Sequence, residues 1–173
     1  MFCTATDPRR RLAFAVGLSF IVAGLTGCGD DPLLSPGEPI RHDDFLYTVL
    51  AAQRVDVIGG RAARGQFVVV NFAVTNRALR VPHRWTNQIA YLVDAGGHRH
   101  ENDDSLQEQL EGLHPFGWAS EYVTAPGAQR STMLVFEVPA DAPRPLDLMV
   151  RGELLMGDVL DGARFRRARV RLP

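Results

Sequence analysis

The sequence predicts an all-β fold, an antiparallel sandwich or barrel, from three observations. Apolar residues alternate with a period of two in several segments, turn-forming pairs punctuate those segments, and no long amphipathic helices separate them. Strands of this kind bury one face and expose the other, which an antiparallel sheet accommodates.

The chain opens on a segment of another kind. Arg9, Arg10 and Arg11 precede an uncharged apolar run from Leu12 to Thr26. Its fifteen residues fall short of the about 20 needed to cross a bilayer's hydrocarbon core, and Asp30 and Asp31 bar its extension. A basic patch, a short apolar stretch and small residues before a cleavage point make an export leader. The residues Leu25-Thr26-Gly27-Cys28 resemble the lipobox of bacterial lipoproteins. That resemblance implies that the Cys28 sulfur takes a diacylglyceryl group, that residues 1–27 are removed as a lipoprotein signal peptide, and that Cys28 becomes the N-terminus. Each buried methylene adds about 0.8 kcal/mol, so several acyl chains such as palmitate make a lasting anchor. The arginine run also admits a twin-arginine export reading, which the following Leu12-Ala13-Phe14 fits poorly. The structural alternative is a buried or disulfide-linked Cys28. The other cysteine, Cys3, lies in the leader, so an acylated Cys28 leaves no thiol for a disulfide.

Residues 28–43 carry prolines and glycines with little periodicity, the composition of an extended tether that holds a domain off the headgroups. The strand pattern fills residues 44–173, a size that folds as one domain without a disulfide or metal. Phe45 to Ile58 is the first strand candidate. In the next, Val68, Val70, Phe72 and Val74 share a face, with Asn71 and Thr75 on the other. Gln88 to Val93 follows. Thr132, Leu134, Phe136 and Val138 then point inward with Ser131 and Glu137 outward, and Leu146, Leu148 and Val150 repeat the pattern against Asp147 and Arg151. Arg164 to Leu172 is last. Gly59-Gly60, Gly96-Gly97, Pro126-Gly127 and Asp161-Gly162 supply the turns. One short helix is expected in the long connection from His98 to Ser120, where Ser105 and Glu108 have capping-box spacing and Gly112 can close it. Connections of that length in a compact fold are commonly functional.

The apolar strand ending at Asn76, the Asp94 to Gly97 turn, and Pro126-Gly127 before a strand ending in Val138-Pro139 are similar to features of secreted, often lipid-anchored domains of unknown function. Those domains are related to the telokin-like mycobacterial immunoprotein fold. The resemblance spans about Phe45 to Leu172 and implies an immunoglobulin-like β-sandwich outside the cytoplasm, with no established catalysis and no functional residues to carry over.

Net charge is −1, and the basic side chains other than histidine are all arginine. The leader takes Arg9, Arg10 and Arg11 with it, so the remainder lacks the basic footprint of a nucleic-acid binder, and no nucleic-acid partner is expected. No GxSxG, P-loop or CxxC motif is present, and His100-Glu101-Asn102-Asp103-Asp104 fails the HExxH pattern because its last residue is Asp. No catalytic residue is therefore assigned.

Three stretches are candidate sites. In His98 to Asp104, the His98 and His100 imidazoles, with Glu101, Asp103 or Asp104 oxygens, can hold a divalent metal; the plainer reading is a solvated hairpin end. Phe116 and Trp118, around Gly117, can offer an apolar platform to a partner, or simply plug one end of the sandwich. Arg167, Arg169 and Arg171 form a charged stripe backed by Ala168, Val170 and Leu172, fit to meet acidic headgroups or an envelope polymer, or to protect an edge strand from aggregation.

The expectation is thus a cell-envelope protein, extracytoplasmic and membrane-anchored through lipid on Cys28, whose domain binds or presents a surface to an envelope protein or polymer without catalysis. No cofactor beyond that covalent lipid is expected. The alternatives are a metal-binding envelope protein using His98 to Asp104 and, third, an envelope hydrolase.

Overall fold

A computed structural model describes residues 31–110, 121–152 and 167–173. The predicted leader with Cys28, the Phe116–Trp118 pair, Gly112, the Asp161-Gly162 turn and the first part of the Arg164–Leu172 strand lie outside them.

Residues with a two-residue apolar period dominate the described chain, and it is a β-sandwich. One layer contains β2 (Ile40–His42), β3 (Phe45–Ile58), β4 (Arg61–Asn76) and β9 (Gln129–Val138), in that spatial order. The other contains β1 (Leu33–Leu34), β11 (Arg169–Arg171), β10 (Asp147–Val150), β6 (Ala90–Val93) and β7 (Arg99–His100). A two-stranded ribbon of β5 (His83–Trp85) and β8 (Tyr122–Thr124) lies beside them. All pairings are antiparallel except β1 with β11, which is parallel.

β3 and β4 form a long hairpin that turns at Gly59-Gly60, where φ is +56° and +82°, values that glycine adopts without a Cβ clash. Its open end pairs Phe45 with Asn76, and β9 continues the layer with Val70 opposite Leu134 and Val68 opposite Phe136. The inward faces follow the period-two pattern. Val68, Val70, Phe72 and Val74 meet Leu134, Phe136, Val138, Leu92, Leu146, Leu148, Val150, Val170 and Leu172 in one core. Each such side chain contributes about 1.5–3 kcal/mol on full burial.

The opposite face of β4 and β9 is not left to solvent. Phe67, Val69, Met133 and Val135 form a second, smaller core with Ile58 and Leu106, and Leu106 comes from α1 (Asp104–Leu110). The short helix expected in the long connection thus covers the outer face of the sheet. Its cap is not Ser105. The Asp103 Oδ1 accepts from the Leu106 amide at 3.1 Å, and the Ser105 hydroxyl donates to that same oxygen at 2.6 Å. The chain arrives extended, with Asn102 bridged to Phe136 and the Asp103 amide bonded to the Val135 carbonyl, which puts the Asp103 carboxylate one turn before Leu106.

Other boundaries also shift. The strand expected from Gln88 begins instead as a 3-10 turn, Asn87–Ile89, because the Thr86 hydroxyl accepts from the Gln88 amide at 3.3 Å and starts a tight turn. Residues 28–43 are not a tether throughout: Leu33–Leu34 pairs with β11 and Ile40–His42 with β3, so the ordered domain starts ten residues or so before Asp44. Backbone pairing, which composition does not display, holds this proline-rich stretch. The same pairing removes β11 from the sheet edge, so edge protection is not what its arginines do.

Candidate functional site

At one end of the sandwich, where β2 ends and β5 begins, topology brings together two histidines that are far apart in sequence. His42 and His83 are 3% and 7% exposed. They line a recess of about 110 Å³ with Tyr47, Trp85, Thr86, Gln88, Ile89 and Arg151. The His83 ring stacks on Phe45 with centroids 4.0 Å apart, and its Nε2 lies 3.1 Å from the Tyr47 hydroxyl. Trp85 stacks on Tyr122 at 4.4 Å and donates its indole N–H to Thr124 Oγ1 at 2.9 Å. Burial, aided by the nearby charge of His42, pushes the His83 pKa down to about 4, so the ring is neutral near pH 7. Arg151 donates from Nε to the Gln88 carbonyl at 2.6 Å and pairs through Nη2 with Glu101. The recess therefore offers a neutral imidazole, a phenol and an already paired guanidinium, groups suited to hydrogen-bonding a small polar moiety.

At the other end of β6, the Asp94 turn gathers the two histidines singled out in the sequence. Asp94 Oδ1 accepts from the amides of Gly96 and His98 at 2.8 and 3.0 Å, which fixes the turn. His98 Nδ1 and His100 Nε2 then approach Asp94 Oδ2 to 3.2 and 3.3 Å. Desolvation disfavours the charged carboxyl, yet the His98 amide, both rings and the His98 charge outweigh it and hold Asp94 below its ordinary range. The three predicted carboxylate partners go elsewhere. Glu101 pairs with Arg99 at 3.3 Å and with Arg151, Asp104 accepts from Gln88 Nε2 at 3.2 Å, and Asp103 caps α1 and lies 3.5 Å from Arg61. Among the described residues no group of three or more His, Cys, Asp or Glu side chains is placed to hold a metal ion. Asp94 had no signal in the metal-ligand reading of the sequence, because only folding places it under the rings of His98 and His100.

Ala168, Val170 and Leu172 face the core as the alternation requires, and the arginines face outward. The stripe is partly neutralised. Arg171 Nε bonds Asp147 Oδ1 at 2.9 Å, and Arg169 Nη1 lies 3.7 Å from Asp147 Oδ2. Arg167 is exposed. In the sequence Asp147 is only the polar residue that alternates with Leu146 and Leu148, and the β10–β11 register, Asp147 opposite Arg171, makes it the partner of the stripe.

No protein-family model matches the sequence, and no curated protein matches it either. Solved structures do. The yjhA protein of Bacillus subtilis aligns with a TM-score of 0.58 at 12% identity, over 81% of this chain and 99% of its own. MPT63, a secreted protein of Mycobacterium tuberculosis, aligns with a TM-score of 0.53 at 12% identity, over 82% of this chain and 96% of its own. A conserved hypothetical protein of Bacillus anthracis gives 0.50 at 15% identity over 68% of this chain and 88% of its own. At such identities the likeness shows the fold, a β-sandwich, and assigns no site.

Proposed function

We propose that the chain is an exported protein held at a cell-envelope membrane by lipid on Cys28, and that its sandwich binds or presents a surface to an envelope partner without catalysing a reaction. One observation carries this reading: an arginine patch and an uncharged run of fifteen residues end in Leu25-Thr26-Gly27-Cys28, followed at once by Gly29, Asp30 and Asp31. The likeness to a β-sandwich described as secreted supports it. Fractionation of cells producing the wild type or Cys28→Ser tests it. The wild type is expected in the membrane fraction, released by detergent alone, and the variant outside it. Equal distribution of the two overturns the anchor.

A second reading, a divalent cation at the β6–β7 turn, is favoured by the approach of His98 Nδ1 and His100 Nε2 to a single Asp94 oxygen. As they stand the three groups are hydrogen-bonded to one another and are not placed as a metal site, so a cation such as Zn²⁺ would have to displace the Asp94 carboxylate from the two rings to bind there. Titration of the purified chain with Zn²⁺ is expected to give binding heat and a raised Tm that His100→Ala abolishes. No heat and an unchanged Tm in the wild type eliminate this reading.

A further inference from the structure

The end of the sandwich that carries the His42–His83 recess also carries the segment between β4 and β5, and this segment is unusual for a solvated loop. Leu79 is 92% exposed and Val81 60% exposed, while Asn76, just before them, is fully buried. The Asn76 side chain pins the loop from below. Its Nδ2 donates to the carbonyls of Val81 and Thr124 at 2.7 and 3.0 Å, and its Oδ1 accepts from the Ala78 amide at 2.9 Å. The two apolar side chains are therefore held outward by a buried polar anchor. Val123, 44% exposed, extends the patch from β8, where it pairs with Arg84.

Exposed arginines frame it. Arg77 and Arg80 flank Leu79 and have no ion pair among the described residues, whereas Arg84 meets Glu121 at 3.1 Å. Asp43 and Asp44, at the β2–β3 turn beside Arg77, supply the neighbouring negative charge.

The chain also leaves the domain toward this end. β1 runs parallel to β11, with Leu33 opposite Arg169, and Arg169 lies opposite Met149, which lies opposite Tyr91. Moving back from Leu33 through Pro32 to Asp31 thus moves toward Val150 and Ala90, next to Ile89 and Arg151 of the recess. Cys28 precedes Asp31 by three residues, a reach of at most about 11 Å. With β1 pinned, acyl chains on Cys28 cannot hold the domain far from the headgroups.

The geometry points to the Leu79–Val81 end as a membrane-resting face, which seats on the anionic lipid of the bilayer that bears the Cys28 acyl chains. This inference rests on the acylation proposed above. Leu79 and Val81 enter the interfacial region, and Arg77 and Arg80 meet lipid phosphates.

The test uses the full chain, purified from membranes in its acylated form and returned to vesicles of phosphatidylglycerol and phosphatidylethanolamine. Acylation caps Cys28 and the leader removes Cys3, so Leu79→Cys or Val57→Cys provides a single free thiol. Val57 is 56% exposed beside the β3–β4 hairpin tip, at the far end of the layer from Asn76. Labelling by a water-soluble maleimide is expected to slow several-fold in vesicles relative to detergent for Leu79→Cys and to stay unchanged for Val57→Cys. Equal rates at both positions in a membrane-bound chain overturn the docking face and leave the anchor standing. Protection of Leu79→Cys in native membranes but not in these vesicles assigns the face to a protein partner and overturns the lipid. A wild-type chain that stays soluble overturns both.

Discussion

Phe136→Ala is expected to destabilise the domain by about 3–5 kcal/mol. Phe136 is fully buried on β9, opposite Val68, in the core shared by the two layers. Removing the ring forfeits its transfer free energy and leaves a void, because Val68, Leu134 and Val138 are held by the β4–β9 register and cannot move in to fill it. Domains of this size have about 5–15 kcal/mol in total, so the loss is a large share of the whole. Phe136→Leu keeps most of the volume and is expected to cost less than half as much. Urea denaturation measures both, and a loss under about 1 kcal/mol for the alanine variant would contradict the assigned core.

Acidification is expected to weaken the fold in a window set by His83. Its pKa is about 4 in the folded chain against an ordinary 6.5, so between those values the unfolded chain binds a proton that the folded chain does not. Stability therefore falls as pH drops from about 6.5 to about 4, by about 3 kcal/mol in all, and is flat with respect to this group above that range. Asp94 acts lower. Its carboxyl is held below the ordinary 3.8, so its contribution is present above that value and is lost only as pH falls through the depressed one. The two windows thus separate. His83→Gln is expected to flatten the upper one and leave the lower one intact, as read from Tm against pH. A wild-type profile that is level from pH 7 to pH 4 would remove the claim that the ring is buried and neutral.

The sequence carried the main layers plainly, for a physical reason that also explains its misses. Alternation marks one buried face, and it identified Val68, Val70, Phe72, Leu134 and Phe136 as core. A face covered later by a helix breaks the alternation. Phe67 to Val70 and Met133 to Phe136 are continuous apolar runs, the pattern of strands buried on both sides, and the second core under α1 follows from that. β1 and β2 leave no mark in the sequence because strands of two and three residues have no measurable period, and partners distant in sequence hold them.

The candidate sites divide in the same way. Local features were legible: the Asp94–Gly97 turn, the spacing of His98 and His100, and the outward arginines of β11. What had to be supplied by folding was the partner. Asp94 beneath two imidazoles, Asp147 beside Arg171, and His42 beside His83 each join residues whose proximity depends on register or sheet order. The exposed Leu79 and Val81 look like ordinary core residues in the sequence, and only the buried Asn76 beneath them shows that they are held outward.

Intact mass of the N-terminal peptide from membrane-purified protein tests the central claim most directly. The expected first residue is Cys28 bearing a diacylglyceryl group on sulfur. A mature chain that begins elsewhere, or an unmodified Cys28 thiol, would contradict it.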